Sequence, residues 1–381
     1  MSAVAAGFEF GNRDRQMRIG IDTRLWGEPR SGIGRYTRSL VEAQVRLAPE
    51  VRWILYLDRP PGDLPPGTEP RWLPWRSRLL WTLWAVRRDL GRRPIDLFHG
   101  VTGFELPSGG CRLVTTVHDL IPLRFPHLVP ARHRWAVRIL LGGALRRATR
   151  VIAVSEATRA EILARYRTAP DKIAVVPEAA APHFRPPPAA DTARVRERLG
   201  LGTPYILFVG LLEPKKNLPT LLAAVARLRA AGAWGTTRLC LAGAPGWGVD
   251  GLGAAVARHG LGDTVRFLGA VPEVELPALY AGATAFVFPS LWEGFGLPVL
   301  EAMAVGTPVI ASRRGALPEI TGGAALLVEP EAAALADALG TLLADSALRA
   351  RLGEAGLARA QTFSWERTAR ETLAVYRAAL A

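Results

Sequence analysis

The chain has 381 residues, which at about 150 residues per domain points to two domains. Hydrophobic residues make up 49% and charged residues 22%, an ordinary globular balance that excludes a disordered, collagenous or coiled-coil protein. Lys plus Arg is 48 against 34 Asp plus Glu, a net +14, and the two cysteines, Cys111 and Cys240, allow neither a disulfide framework nor a cysteine zinc site.

The segment from Met1 to Met17 holds no apolar run of the kind a secretory signal carries, and no stretch approaches the ~18 uninterrupted apolar residues of a membrane span. A cytoplasmic chain, soluble or peripheral at the inner membrane surface, is expected. Met17–Asp22 reads as the first strand. A glycine turn follows, Ser31-Gly32-Ile33-Gly34, then a helix from Arg35 to about Leu47. Strands are predicted at Val51–Leu57, Asp96–Phe98, Leu113–Val117 and Arg150–Val154, with helices at Arg132–Arg147 and Glu156–Tyr166. Short apolar strands alternating with helices imply parallel βαβ units.

The proline-rich stretch Pro182–Pro188 reads as a linker. A second alternating series follows, with strands at Tyr205–Val209, Arg238–Ala242, Val265–Leu268, Ala285–Phe288, Pro308–Ala311 and Ala324–Val328. Helices are read at Leu218–Ala230, Pro277–Ala281 and Pro298–Val305. The tail, Ser364–Leu380, is an amphipathic helix with Ser364 as N-cap. The fold class is therefore α/β: two Rossmann-like, doubly wound domains facing a cleft. Ligands of such sheets bind at the carboxyl ends of the strands.

Charge is unevenly spread. Residues 1–200 hold 33 basic against 19 acidic side chains, and residues 201–381 hold 15 of each. Arg71–Arg93 contains seven arginines and one acid, with Trp72, Trp75, Trp81 and Trp84 among them; Arg132–Arg150 contains six arginines and no acid. Such a face suits an anionic membrane surface or a lipid-linked phosphate. The tryptophan pattern fits an interfacial helix and a buried amphipathic helix equally well. No helix-turn-helix, RNA-recognition or zinc motif supports a nucleic-acid partner.

The sharpest constellation runs from Ser290 through Glu293, Gly294, Phe295, Gly296, Leu297 and Pro298 to Glu301. It is a strand, a glycine loop and a helix start with proline in its first turn. The amides of Gly296 and Leu297 would face an anion there. Glu301 is placed to accept two ribose hydroxyls, and Glu293 to stand beside whatever the phosphate carries. A second loop, Gly210 to Asn217, contains Lys215 and Lys216. Two of the chain's three lysines stand there side by side among 45 arginines, and a compact ammonium suits a pyrophosphate oxygen. His118 ends an apolar strand, where it would face the cleft. The G-x-G of Gly32 and Gly34, with Arg35 after it, lets the backbone approach a phosphate or a sugar.

These motifs resemble the retaining nucleotide-sugar glycosyltransferases of the fourth large family, which adopt the two-domain GT-B fold. The resemblance runs from Met17 to the last helix. It implies that residues 1–185 form an acceptor-side domain and 186–362 the donor-binding domain, with 363–381 crossing back to the first. It implies that Glu293 contacts the donor sugar, Glu301 holds the ribose, Gly294–Leu297 contact sugar and phosphates, Lys216 clamps the diphosphate, and His118 lies near the reacting centre. Where the family carries an arginine directly after the loop glycine, this chain has Leu211. No Asp-x-Asp motif stands at a strand end, so neither a bound metal nor a separate cofactor is expected. The implied reaction moves a hexosyl group from a nucleoside diphosphate sugar to a glycan or lipid-linked hydroxyl, with GDP-mannose the first guess. A UDP-sugar transferase and a silent nucleotide-sugar-binding scaffold are the alternatives.

Overall fold

The computed structural model describes residues 16–28, 32–75, 77, 80–106, 110–129, 131–248 and 251–381. Seven strands form the first sheet: β1 (Arg18–Asp22), β2 (Arg52–Leu57), β3 (Thr68–Trp72), β4 (Leu97–Gly100), β5 (Arg112–Val117), β6 (Arg150–Ala153) and β7 (Ile173–Val175). Their spatial order is β3-β2-β1-β4-β5-β6-β7, and every pairing is parallel. Six form the second: β8 (Tyr205–Val209), β9 (Arg238–Ala242), β10 (Val265–Gly269), β11 (Ala285–Phe288), β12 (Val309–Ser312) and β13 (Leu326–Val328). These run β10-β9-β8-β11-β12-β13, again all parallel.

Both orders reverse beside the first strand of the set, between β1 and β4 and between β8 and β11. Those are the switch points where doubly wound sheets open a crevice at their carboxyl ends. The central strands β8 and β11 of the second sheet read as unbroken apolar runs because helices cover both faces: Tyr205, Ile206, Leu207 and Phe208 of β8 are fully buried.

Two strands escape the periodicity argument, β3 and β7, and both lie at a sheet edge. Strand β3 reads Thr-Glu-Pro-Arg-Trp; an edge tolerates Pro70 because one side of the strand donates no ladder bond. Strand β7 has only three residues. The expected glycine turn before the first helix is corrected. The helix Gly32–Leu47 takes Gly32 and Gly34 into its first turn, so this chain's close approach at that point comes from a helix N-terminus. Ser31 falls outside the described residues.

The last helix, Trp365–Leu380, packs on the helix Gly32–Leu47 and against β5 and β6. Trp365, Ala369, Leu373 and Tyr376 are part of the same apolar cluster as Ile19, Leu40 and Trp53. Its N-cap is Ser364, whose hydroxyl accepts from the Arg367 amide at 3.2 Å. A buried polar chain ties it further: Tyr376 Oη lies 2.6 Å from His99 Nδ1, His99 Nε2 lies 2.8 Å from Thr116 Oγ1, and Thr116 Oγ1 lies 3.2 Å from Tyr36 Oη. Burial pushes His99 down to about 3, so its ring is neutral and its two nitrogens divide donor and acceptor roles.

Candidate functional site

The carboxyl ends of the two sheets face one cavity of about 930 Å³. The first domain lines it with Gly32, Ile33, Arg35, His118 and Glu178. The second contributes Gly210, Leu211, Lys215, Lys216, Glu293 and the loop Gly294–Pro298. The two lysines, the glycine loop and His118 thus meet, although up to 178 residues separate His118 from Gly296.

Strand β11 ends at Phe288, and Ser290 to Gly296 turn the chain into the helix Leu297–Ala304. Gly296 precedes it at φ 106°, and a Cβ there would come 2.5 Å from Leu317 Cδ2. Glycine is required on both counts. Glu293 is buried, with 8% of its surface exposed. Its Oε1 accepts from Lys216 Nζ at 2.6 Å and from Ser290 Oγ at 2.5 Å. Burial alone would raise this carboxyl, but Lys216, Lys215 and the two hydrogen bonds outweigh it and hold it below the usual glutamate range. Lys216 also faces the Phe288 ring, 4.6 Å from its centroid. Lys215, less buried, pairs with Glu213 at 3.3 Å. Its backbone oxygen accepts from the Leu291 amide at 2.8 Å, which fastens the lysine loop to the glutamate loop.

Gly294 is one of the places where the domains touch. Its carbonyl accepts from Ser155 Oγ at 2.6 Å and Thr158 Oγ1 at 3.3 Å, both in the first domain. A Cβ at Gly294 would collide with the backbone carbonyl of His118. Ser155 also caps its own helix, accepting from the Thr158 amide at 3.0 Å, so one hydroxyl serves helix start and domain contact together. Arg124 stacks on Trp292 across the same boundary, 3.6 Å from the ring centroid.

His118 lines the cavity with both ring nitrogens committed. Nε2 lies 3.0 Å from the Val101 carbonyl, which can only accept, so Nε2 donates; Nδ1 faces Glu178 Oε1 at 2.8 Å. The Tyr36 ring meets it edge-on at 4.7 Å. Glu178 carried no sequence signal, since it is one acid before a linker. Glu301 is 2% exposed, on the helix Leu297–Ala304. Its Oε2 accepts from Tyr280 Oη at 3.0 Å and its Oε1 from Arg35 Nη1 at 2.6 Å, from the opposite domain. The sequence places Arg35 directly after the G-x-G and gives no hint of this partner. Gly34 is buried in the first turn beside Gly32. Among the described residues no three His, Cys, Asp or Glu side chains cluster as metal ligands.

Residues 30–182 match the model of Glycosyltransferase Family 4, and residues 190–359 that of Glycosyl transferases group 1. O-antigen chain mannosyltransferase B of Escherichia coli is 32% identical over 95% of this chain and 100% of its own length. The chain is a family 4 glycosyltransferase. Sucrose-phosphate synthase from Thermosynechococcus elongatus superposes with a TM-score of 0.78 at 25% identity, over 95% of this chain and 98% of that one. Anabaena HepE, solved in complex with UDP and glucose, gives 0.75 at 19% identity over 95% and 99%, a likeness of fold. This glycosyltransferase therefore has the GT-B architecture, with its Glu293-to-Glu301 loop at the switch point of the second sheet. Among its described residues no helix is long and apolar enough to cross a membrane.

Proposed function

We propose that this glycosyltransferase moves a hexosyl group, mannose from GDP-mannose in the first instance, to a hydroxyl of a glycan or lipid-linked acceptor in cell-surface polysaccharide synthesis, with retention at the anomeric carbon. One observation carries the reading: a buried Lys216–Glu293–Ser290 network stands beside a helix N-terminus, at the wall of a cleft that Lys215 also lines, with Glu301 buried just behind Arg35. The diphosphate takes the amides of Gly296 and Leu297, where the helix end is positive. Lys215 adds a point charge, and Lys216 holds Glu293 ionised and aimed at the sugar hydroxyls. Negative charge growing on the leaving phosphate meets fixed donors, which need no reorganisation at the moment of transfer. His118, with both nitrogens occupied, presents its ring to the sugar. The leaving phosphate oxygen takes the acceptor's proton on the face where the new bond forms. The mannosyl assignment draws on the name of the Escherichia coli relative.

The acceptor side is proposed to meet an anionic membrane surface. Arg71–Arg93 is not one helix. Arg71 lies on β3, buried, with its guanidinium on Asp89 and the Tyr56 hydroxyl. A π-helical turn, Trp81–Ala85, then runs into the helix Val86–Arg92. Trp81 is fully buried under the Arg24 guanidinium. Trp72, Trp75, Leu80 and Trp84 are exposed, as are Trp135 and Ile139 on the helix Ala131–Arg147. Arg76, Arg78, Leu79 and the Arg132 side chain lie outside the described residues. Exposed indoles among arginines suit headgroup depth with phosphate above.

The test is a thermal-shift comparison of GDP, UDP, ADP and dTDP at equal concentration, followed by transfer from the matching sugars. A ligand at a hundred times its Kd stabilises the fold by about 2.7 kcal/mol. GDP alone should raise Tm. A UDP response redirects the donor to glucose- or N-acetylglucosamine-type sugars, and no response to any of the four overturns the reading.

A further inference from the structure

Glu301 is read above as the ribose carboxylate, yet both of its oxygens already have partners. Tyr280 belongs to its own domain. Arg35 reaches across the cleft from the first turn of the helix Gly32–Leu47, and the pair lies 2.6 Å apart with 3% of the Glu301 and 23% of the Arg35 side chain exposed. The guanidinium is not fully used. Nη1 makes that bond, while Nε is buried without a hydrogen-bond partner among the described residues. A guanidinium carries five donors in a planar fork that matches phosphate oxygens, and a buried donor left unpaired costs free energy. Arg35 also lines the cavity directly, beside Gly32 and the loop Gly294–Pro298.

Glu301 comes four residues after Leu297 on one helix, a rise of about 6 Å, so Arg35 is paired with a residue one turn along from the amides that face the diphosphate. A change of rotamer covers that distance. Across the cleft, Leu211 brings no charge to the same rim and is 47% exposed.

We propose that Arg35 is an exchangeable donor-binding residue, which pairs with Glu301 when the cleft is empty and transfers its guanidinium fork to the nucleotide's diphosphate when the ribose claims Glu301. The inference rests on the nucleotide-sugar reading and adds a ligand that the second domain does not itself supply. It also makes donor binding report to the first domain, because the ion pair that joins the domains is broken and rebuilt through the ligand.

The exchange separates phosphate from nucleoside, and so does its test. Wild type, Arg35→Ala and Arg35→Lys are titrated by calorimetry with whichever of GDP, UDP, ADP or dTDP binds wild type, and by ligand-detected NMR with its nucleoside. Arg35→Ala should weaken the diphosphate at least tenfold while the nucleoside binds as well as before or better, since Glu301 is freed. Arg35→Lys, which keeps charge without the fork, should lie between. Equal diphosphate affinity in wild type and Arg35→Ala overturns the proposal. So does equal tightening of both ligands, which marks a plain latch, and so does equal weakening of both, which marks damage to the site. A wild type that binds none of the four diphosphates overturns the nucleotide-sugar reading itself, an outcome distinct from these.

Discussion

The two halves of this glycosyltransferase both bury paired charges, but only the first carries a large basic excess on its surface. The second half carries no net charge, and its ionic groups at the site are few and buried: Lys216 and Glu293 are 6% and 8% exposed and bonded to each other. The first half carries the whole +14 and turns much of it outward, with Arg87, Arg88 and Arg92 exposed beside Trp84. Burying a charge is costly unless it is paired, and the first half meets that condition too, with Arg24 on Asp22 and Glu105 and Arg71 on Asp89 away from the cavity; of these pairs only Lys216–Glu293 lines the cleft. A spread of exposed arginines sets no geometry and serves a partner that is itself soft. The contrast teaches where chemistry and where docking are built.

The hardest blow should fall on the buried pair. Glu293→Ala removes the carboxylate aimed at the sugar and leaves the Lys216 ammonium buried alone. Lys216→Ala does the reverse. Each should lower kcat/KM at least ~100-fold, the scale seen when a preorganised charge is deleted. Breaking a buried pair also costs about 3–5 kcal/mol of stability, so the rates are compared at a temperature where circular dichroism shows each variant folded. Near-wild-type turnover in either would remove the distinction between the halves.

The next largest effect should come from the point of domain contact. At Gly294 a methyl would strike the His118 carbonyl, and backbone cannot swing aside as a long side chain does. Gly294→Ala should lower both Tm and kcat/KM, the latter about tenfold, because the misplacement is of ångström size where reacting groups must align. Gly262→Ala is the control: nothing lies within 4 Å of a Cβ there, and its change should stay within about 0.5 kcal/mol. Equal behaviour of the two would show that the cleft tolerates the domains moving apart.

Much of this was legible in the sequence, and what was hidden has a common cause. Strands buried on both faces are apolar throughout, so β8 and β11 announce themselves. The loop from Ser290 to Glu301 is local, and its glycines and carboxylates keep their spacing whatever the rest of the chain does. Edge strand β3 lacks that signature because Glu69 and Pro70 face solvent demands. Contacts between distant segments leave no periodic trace. The Ser155 hydroxyl on Gly294 spans 139 residues and Arg35 on Glu301 spans 266, and neither spacing could be read without knowing how the sheets face. The tryptophans of Arg71–Arg93 show the same limit: periodicity marks the segment as amphipathic, but only packing puts Trp81 inside and Trp84 out.

The smallest expected effect tests the outward half. Trp84 is 64% exposed and Trp72 48%, so neither holds the core and Trp72→Ser with Trp84→Ser should leave Tm within about 2 °C, as surface changes do. Transfer to a small soluble acceptor should be unchanged, since both residues lie away from the cavity lining. Co-sedimentation with vesicles containing anionic phospholipid should nevertheless fall several-fold, because buried indole area and guanidinium attraction add at the headgroup layer. Salt separates the two contributions. Raising ionic strength from 0.05 to about 0.5 M shortens the Debye length several-fold and should release the double variant from vesicles before wild type, whose indoles still hold. Wild-type binding that is equal on neutral and anionic vesicles at every salt concentration would mean that the arginine excess of the first half serves something other than a membrane, and the contrast between the halves would then rest on the buried pair alone.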